Sequence, residues 1–539
     1  MKPRSWLLGV ALACILLSNC TRPGEQLQPF GSPPPIPTDH SVVIAKPADA
    51  SGLDPALISD GESSQVCRNL FDTLVRHGHD SMQLEPALAI SWDHSNGGKT
   101  WTFHLRKGVQ FHDGSDFDAQ AVVANFSRQM QPDHPLRFAG NRFPYWADIW
   151  GTQPCVIRSI EAVDRYTVRF QLREVVAPFV ENLAMPFFAI VSPKALAKYR
   201  ENAFKHPVGT GAYRLVEWLP RERIVLEANR DYWDGPPQIQ RVTILPVKDP
   251  TSRQMQLEAG KVHLITGVML ENVERLKLNR AVQVVTQPGM NIGYLALNNQ
   301  AKPFDQPLVR QAIAHAIERR EIALALYRGL AEVAHSHLPP MIWGQAKVQP
   351  YDYNPEKARQ LLAQAGYPDG FDSELWYMSA ARPYYPEPKV IGECLQAMLA
   401  EVGIRVDLKA VDWGSYLELV GKGQHKMALG GWIGDTGDPD NYLYVMLDDN
   451  NVDPQRGGSN LCLFKNPETH RLLVQARQIV DQVEREKLYQ QAQLILHEQA
   501  PSLPLIHAHQ VGAHHPSLEG FRLHPTGTLV LQYLRWKRP

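Results

Sequence analysis

Apolar and polar residues alternate most regularly in two short runs, Thr100 to Leu105 and Tyr166 to Leu172. Successive side chains of a strand point to opposite faces, so both runs predict half-buried strands. Ser41 to Ala45 predicts a first strand. Apolar positions recur instead at helical spacing over Pro307 to Leu326, Glu356 to Ala365 and Pro388 to Val402. Gly366 and Gly403 follow the last two, and glycine is a common helix stop. Thr469 to Gln499 is long and charged along one face, which predicts a surface helix pair. Short strands mixed with amphipathic helices indicate an α/β or α+β protein. No internal repeat is present.

The first twenty residues break this pattern. Lys2 and Arg4 precede an almost unbroken apolar run from Trp6 to Leu17. The run is too short to span a bilayer comfortably and reads as the core of a signal peptide, residues 1–19. It ends in Leu17-Ser18-Asn19-Cys20, which resembles the lipobox of bacterial lipoproteins, with cleavage before Cys20 and lipid on its thiol. Ordinary export with a chance cysteine is the alternative. Six prolines follow at 23, 29, 33, 34, 35 and 37, and a segment so rich in proline stays extended, so residues 20–40 read as a semi-stiff tether. No later stretch is apolar enough to span. The membrane is expected to hold the chain through the lipid anchor only, on the periplasmic side of a bacterial cell membrane.

At 539 residues the chain is too long for one ordinary core and suggests two or three domains. Hydrophobic residues make up 44% and charged residues 21%, as in a soluble globular protein. The formal net charge is −1 with no block of like charges, which argues against a nucleic-acid partner. Cys67, Cys155, Cys394 and Cys462 remain after export and can pair in three ways, with no preference from spacing. Cys394 falls in a helical pattern and reads as a small buried apolar residue.

Few motifs nominate chemistry. Gly98-Lys99-Thr100 has the tail of a phosphate-binding loop, but Asp93 stands where its first glycine is required, so a hairpin turn is the better reading. No zinc-binding His-Glu-x-x-His and no Gly-x-Ser-x-Gly elbow occurs, and nothing nominates a nucleophile; no enzyme activity and no cofactor are expected. His507 and His509, two apart on a predicted strand, with His514 and His515 beyond, are the best metal candidates, against a plain strand edge. Asp435, Asp438 and Asp440 lie in a glycine-bearing loop without the spacing of a calcium site. By themselves they read as a helix cap.

Leu105-Arg106-Lys107-Gly108-Val109-Gln110-Phe111-His112-Asp113-Gly114 resembles the signature stretch of the family 5 extracellular solute-binding proteins, the peptide and nickel receptors of ABC importers. Pro207 to Tyr213, Asp231-Tyr232-Trp233, Pro288 to Leu295 and Asn354 to Ala358 agree with the family in order and at fitting distances. The resemblance covers the chain from about residue 41 to its end. It implies an α/β, periplasmic binding protein type II-like fold (cluster C) with two lobes, a hinge and an extra α/β domain. Lobe I would take 41–78, 206–290 and 500–539, the extra domain 79–205, and lobe III 291–499. Strands near 285–295 and 495–505 would form the hinge.

Within the family the likeness is nearest to the dipeptide-binding members. Arg382-Pro383-Tyr384 and Gly434-Asp435-Thr436-Gly437-Asp438-Pro439-Asp440-Asn441 match their motif pair. The resemblance implies that Arg382 meets a peptide's carboxylate and Asp435 its ammonium. Trp413, Trp432 and Tyr384 would line the pocket, with Gly61 and Glu62 of lobe I closing from the other side. The expected partners are a short peptide and the permease and ATPase subunits of an importer, with the binding protein a monomer. Departures are the absence of a cysteine near Ala45, the lone Cys462, and Asp448-Asp449-Asn450-Asn451; relatives with similar pockets take glutathione, haem or other small peptides, and nickel through His507 and His509 is a further alternative.

Overall fold

The computed structural model describes residues 30–152 and 154–537. The expected signal peptide, Cys20 and the first part of the tether lie outside the described residues. Residues 30–37 rest on the body of the protein: Phe30 exchanges backbone hydrogen bonds with Leu278 and Arg280, and the Pro34 carbonyl accepts from His515 Nε2 at 2.8 Å.

Twelve strands build one sheet in two halves. The first half holds β1 (Ser41–Lys46), β2 (Tyr213–Leu219), β3 (Arg223–Ala228), β4 (Arg241–Pro246), β5 (Leu264–Thr266) and β6 (Gln283–Pro288). The second holds β7 (Asn291–Leu297), β8 (Ala331–Val333), β9 (Phe371–Met378), β10 (Ile404–Val411) and β11 (Met427–Ile433). The long strand β12 (Ser502–His514) belongs to both. Its first part pairs with β7 and β8, and from His509 onward it pairs with β6 and β5. Strand β7 is buried along its whole length, which explains its continuous apolar run.

The second half packs one apolar core from residues 290–508; the first half packs a large one from residues before 245 with Leu264 and 518–536, and a smaller one around Leu257, Ile265, Leu276 and Ala513. Between the halves the chain runs across at Pro288–Asn291 and within β12 at 506–509, the latter just beyond the expected hinge window. Asn291 fastens the two crossings: its side chain donates to the Ala508 carbonyl at 2.8 Å and accepts from the Ala508 N–H at 2.9 Å. A side chain at Gly289 would strike the Ala508 carbonyl, so only glycine permits this approach.

A separate antiparallel sheet carries Ala89–Ser95, Thr100–Leu105, Thr167–Leu172 and Ile157–Asp164, in that order. Helix Ala119–Met130 lies against it, capped by the Asp118 carboxylate. A turn at Asn96–Gly98 joins the first two strands, so Gly98-Lys99-Thr100 is a hairpin connection. The predicted helix over Pro307–Leu326 is two helices, Pro307–Ala316 and Arg319–Tyr327. Ile317 between them is extended, and the Glu318 carboxylate caps the second helix on the Arg320 N–H at 3.0 Å. Gly366 and Gly403 take φ values of +91° and +87° past the ends of their helices.

The stretches that carried the resemblance hold the body together. His112 bonds to the Gly211 carbonyl at 2.9 Å, while Thr210, Tyr232 and Trp233 all donate to the Asp72 carboxylate at 2.6 to 3.0 Å. Cys67, Cys155 and Cys462 carry free buried thiols, so no two-bridge pairing forms, and Cys394 is half-buried on its helix rather than buried.

Candidate ligand-binding site

Strand β11 ends in Gly430-Gly431-Trp432, and the two glycines have a steric reason. A Cβ at Gly430 would lie 2.4 Å from the Tyr294 ring, and one at Gly431 2.2 Å from the Tyr384 ring. With no side chains there, both rings lie flat against the strand and Trp432 turns toward the cavity beyond. After Ile433 the chain enters the acidic loop, which Asn441 organises. Its side-chain oxygen accepts from the Trp432 indole at 3.1 Å and from the Asp435 N–H at 3.0 Å.

The three aspartates of that loop divide their roles. Asp438 pairs with Arg485 at 2.7 Å, with both side chains almost wholly buried. Asp440 lies 3.1 Å from Arg477. Both are structural. Among the described residues Asp435 has no cationic partner and one side-chain hydrogen bond, from the Tyr145 hydroxyl, which donates at 3.2 Å. Burial raises its carboxyl to about 6, against the opposing pull of that hydrogen bond.

Arg382 sits at the head of a tight turn, exchanging backbone hydrogen bonds with Tyr385 at 2.9 Å. Its guanidinium carbon lies 3.3 Å from the centre of the Trp413 ring, a stacked cation–π arrangement. Trp413 is fixed as the first residue of helix Trp413–Gly421, whose N-terminus Asp412 caps. No carboxylate pairs with Arg382 among the described residues, and its Nε is buried without a hydrogen-bond partner. Desolvation lowers its pKa, while Tyr384 and Glu62 raise it.

These residues share one cavity of about 590 Å³, within the usual range for a small-ligand site. Arg382, Tyr384, Trp413, Trp432 and Asp435 form one wall. Gly61 lines the opposite wall with Ser64, Gln65 and Arg68, all on helix Gly61–Leu70, whose N-terminus the Asp60 carboxylate caps. Glu62 is not among the residues lining the cavity, and its backbone carbonyl accepts from Lys46 Nζ at 2.6 Å. Its charge nevertheless bears on Arg382.

Several lining residues escaped sequence reasoning. Tyr145 and Phe187, stacked at 3.4 Å between ring centres, come from the region of the antiparallel sheet. Arg68, His77 and His524 bring further polar groups. None lies in a recognisable motif; only the fold brings them to Asp435 and Arg382.

The histidine tract does not converge. His507 donates through Nδ1 to the Asn291 carbonyl at 2.8 Å, His509 lies beside Glu332 at 3.6 Å, and His515 reaches Pro34. Among the described residues no group of three or more histidine, cysteine or acidic side chains could hold a metal ion, and no helix is long and apolar enough to cross a membrane.

Residues 83–454 match the family model described as bacterial extracellular solute-binding proteins, family 5 Middle. The chain is 34% identical to Heme-binding protein A of Haemophilus influenzae over 96% of this chain and 97% of that protein. It is 33% identical to the Dipeptide-binding protein of Escherichia coli, over 90% and 93% respectively. Its fold matches an ABC transporter-associated periplasmic binding protein from Helicobacter pylori, solved in complex with peptide STSA, at a TM-score of 0.78 and 36% identity over 92% of this chain and 98% of that one. The chain belongs to the family 5 bacterial extracellular solute-binding proteins, the substrate-binding components of ABC importers.

Proposed function

We propose that the protein captures a short peptide, with a dipeptide as the preferred length, by its two charged ends and delivers it to a permease driven by ATPase subunits. One observation carries this reading: a guanidinium and a carboxylate, Arg382 and Asp435, line the same cavity, and neither has an ion-pair partner among the described residues. Uncompensated charges are costly to bury, so each is stabilised by a ligand that brings its complement. The guanidinium fork accepts a carboxylate through parallel charge-assisted hydrogen bonds, and Asp435 receives the ammonium. Two residues of extended chain span roughly 7 Å, so fixing both ends measures length and leaves side-chain identity free. Trp413, Trp432 and Tyr384 supply apolar walls for those side chains, and Gly61 closes from lobe I.

In this reading 41–78, 206–290 and 500–539 form lobe I, 79–205 the extra domain and 291–499 lobe III. The two crossings fastened by Asn291 serve as the hinge, and ligand favours closure because it touches both lobes at once. The protein works as a monomer held to the membrane by lipid on Cys20, and the peptide leaves unchanged. Dissociation constants on the order of micromolar or below are expected, about −8 kcal/mol.

Mass spectrometry of the small molecules released when the purified protein is denatured tests the cargo. Short peptides are the expected release. Haem absorbance in the native protein, with no peptide released, would replace the peptide reading with the cargo named for the Haemophilus influenzae relative.

A further inference from the structure

The cavity wall carries one cation more than a zwitterionic peptide needs. Its lining includes Arg382 and Arg68 but a single carboxylate, Asp435. Arg68 lies in the last turn of helix Gly61–Leu70, and one of its N–H groups donates to the His77 carbonyl at 3.2 Å. No described residue forms an ion pair with it. The nearest acidic groups are already engaged. Asp72 lines a second cavity of about 30 Å³ together with Arg68 and acts on that guanidinium through space, while its oxygens take the donors of Thr210, Tyr232 and Trp233. Glu181 is 3.0 Å from His77, and burial together with Asp438 raises it to about 8, while burial holds His77 down to about 3. Burial disfavours charge on both groups, and Glu181 makes its ion-pair contact with His77 rather than with Arg68.

A second group at this end also lacks a partner. His524 is 3% exposed and lines the same cavity. Its Nδ1 accepts from the Thr526 N–H at 3.2 Å and from the Thr526 hydroxyl at 2.7 Å. Burial keeps the ring neutral, so with Nδ1 accepting, the single ring proton sits on Nε2. That N–H is buried and makes no well-formed hydrogen bond among the described residues, although the Gly78 carbonyl lies close enough to act on the ring. An unsatisfied buried donor is costly, and a ligand oxygen relieves it.

We propose that Arg68 and the Nε2–H of His524 form a second anion-accepting subsite on the lobe I side of the cavity, so that the protein favours short peptides carrying one additional carboxylate. This rests on the peptide reading above and deepens it. With Asp435 ionised, Arg68 and Arg382 leave the wall at a net +1; a peptide with one aspartyl or glutamyl side chain has net charge −1 and balances it. A side-chain amide of the same shape does not.

Calorimetric titration of the refolded, ligand-free protein with Ala-Glu against Ala-Gln, and Glu-Ala against Gln-Ala, separates charge from shape. At least one acidic peptide is expected to bind about tenfold or more tightly than its amide twin, the size of a hydrogen bond to a charged group. In Arg68→Gln that gap closes to about twofold or less. Equal affinities for acid and amide in the unaltered protein would overturn the subsite alone, whatever the fate of the variant. A gap that survives in Arg68→Gln would overturn the role of Arg68. Absence of binding by any of the four peptides would overturn the peptide reading and the subsite with it.

Discussion

The Tyr145 hydroxyl donates to the Asp435 carboxylate at 3.2 Å, joining two residues 290 positions apart in the chain. Tyr145 belongs to the short helix Pro144–Trp150 beside the antiparallel sheet, and Asp435 to the loop after β11. The acid proposed to receive the ligand's ammonium is thus in contact with a second part of the molecule.

The pH dependence of binding follows from Asp435. Its ionised form pairs with an ammonium, and its carboxyl titrates near 6. Affinity for a dipeptide is therefore expected to be full at pH 7.5 and to fall as pH drops through about 6, by up to about tenfold per unit for one proton. Tyr145→Phe removes a hydrogen bond that lowers this pKa, so the midpoint moves upward. Titration from pH 5 to 8 checks both; a midpoint that stays put in the variant would contradict the coupling.

The same carboxyl affects stability with the opposite sign. Its folded-state pKa is raised, so the stability linked to it is present at low pH and is lost as pH rises through about 6. Asp435→Asn in the ligand-free protein is expected to leave the thermal midpoint at pH 7.5 unchanged or higher, while dipeptide binding weakens by about 100-fold.

Its neighbour behaves differently. Asp438 and Arg485 are 2% and 6% exposed and 2.7 Å apart. Arg485→Met strands a buried carboxylate, at a cost of about 3–5 kcal/mol, and lowers the thermal midpoint by several degrees. Thermal melts of the two variants side by side separate the structural aspartate from the ligand-facing one.

Trp413 positions Arg382 by stacking under its guanidinium. Trp413→Ala is expected to weaken dipeptide binding by about tenfold, and Trp413→Phe by far less, because a ring face suffices to hold the guanidinium. Equal losses in the two variants would mean that Trp413 acts by contact with the ligand alone.

The chain's local patterns were informative where one residue decides its own neighbourhood. Alternation in Thr100–Leu105 and the glycine stops at 366 and 403 fall where the structure has them. The break at Ile317 was hidden because apolar spacing continues across it, and only the Glu318 cap separates the two helices. In the site, Arg382, Tyr384, Trp413, Trp432, Asp435 and Gly61 line one cavity, and Glu62 is not part of its lining. Tyr145, Arg68 and His524 carry no sequence signal because their approach depends on how distant segments pack. The motif resemblance singled out Asp435, but the residues alone read all three aspartates as a cap; the structure shows that Arg485 and Arg477 answer Asp438 and Asp440.

The most direct test of two-ended capture is calorimetric titration with Ala-Ala, N-acetyl-Ala-Ala and Ala-Ala-amide against the unaltered protein, Arg382→Ala and Asp435→Ala. Ala-Ala is expected to bind at micromolar or lower concentration, and blocking either end to weaken binding by about 100-fold. The acetyl block should cost little further in Asp435→Ala, and the amide block little further in Arg382→Ala. Undiminished binding of both blocked peptides, or of Ala-Ala to both variants, would contradict the account.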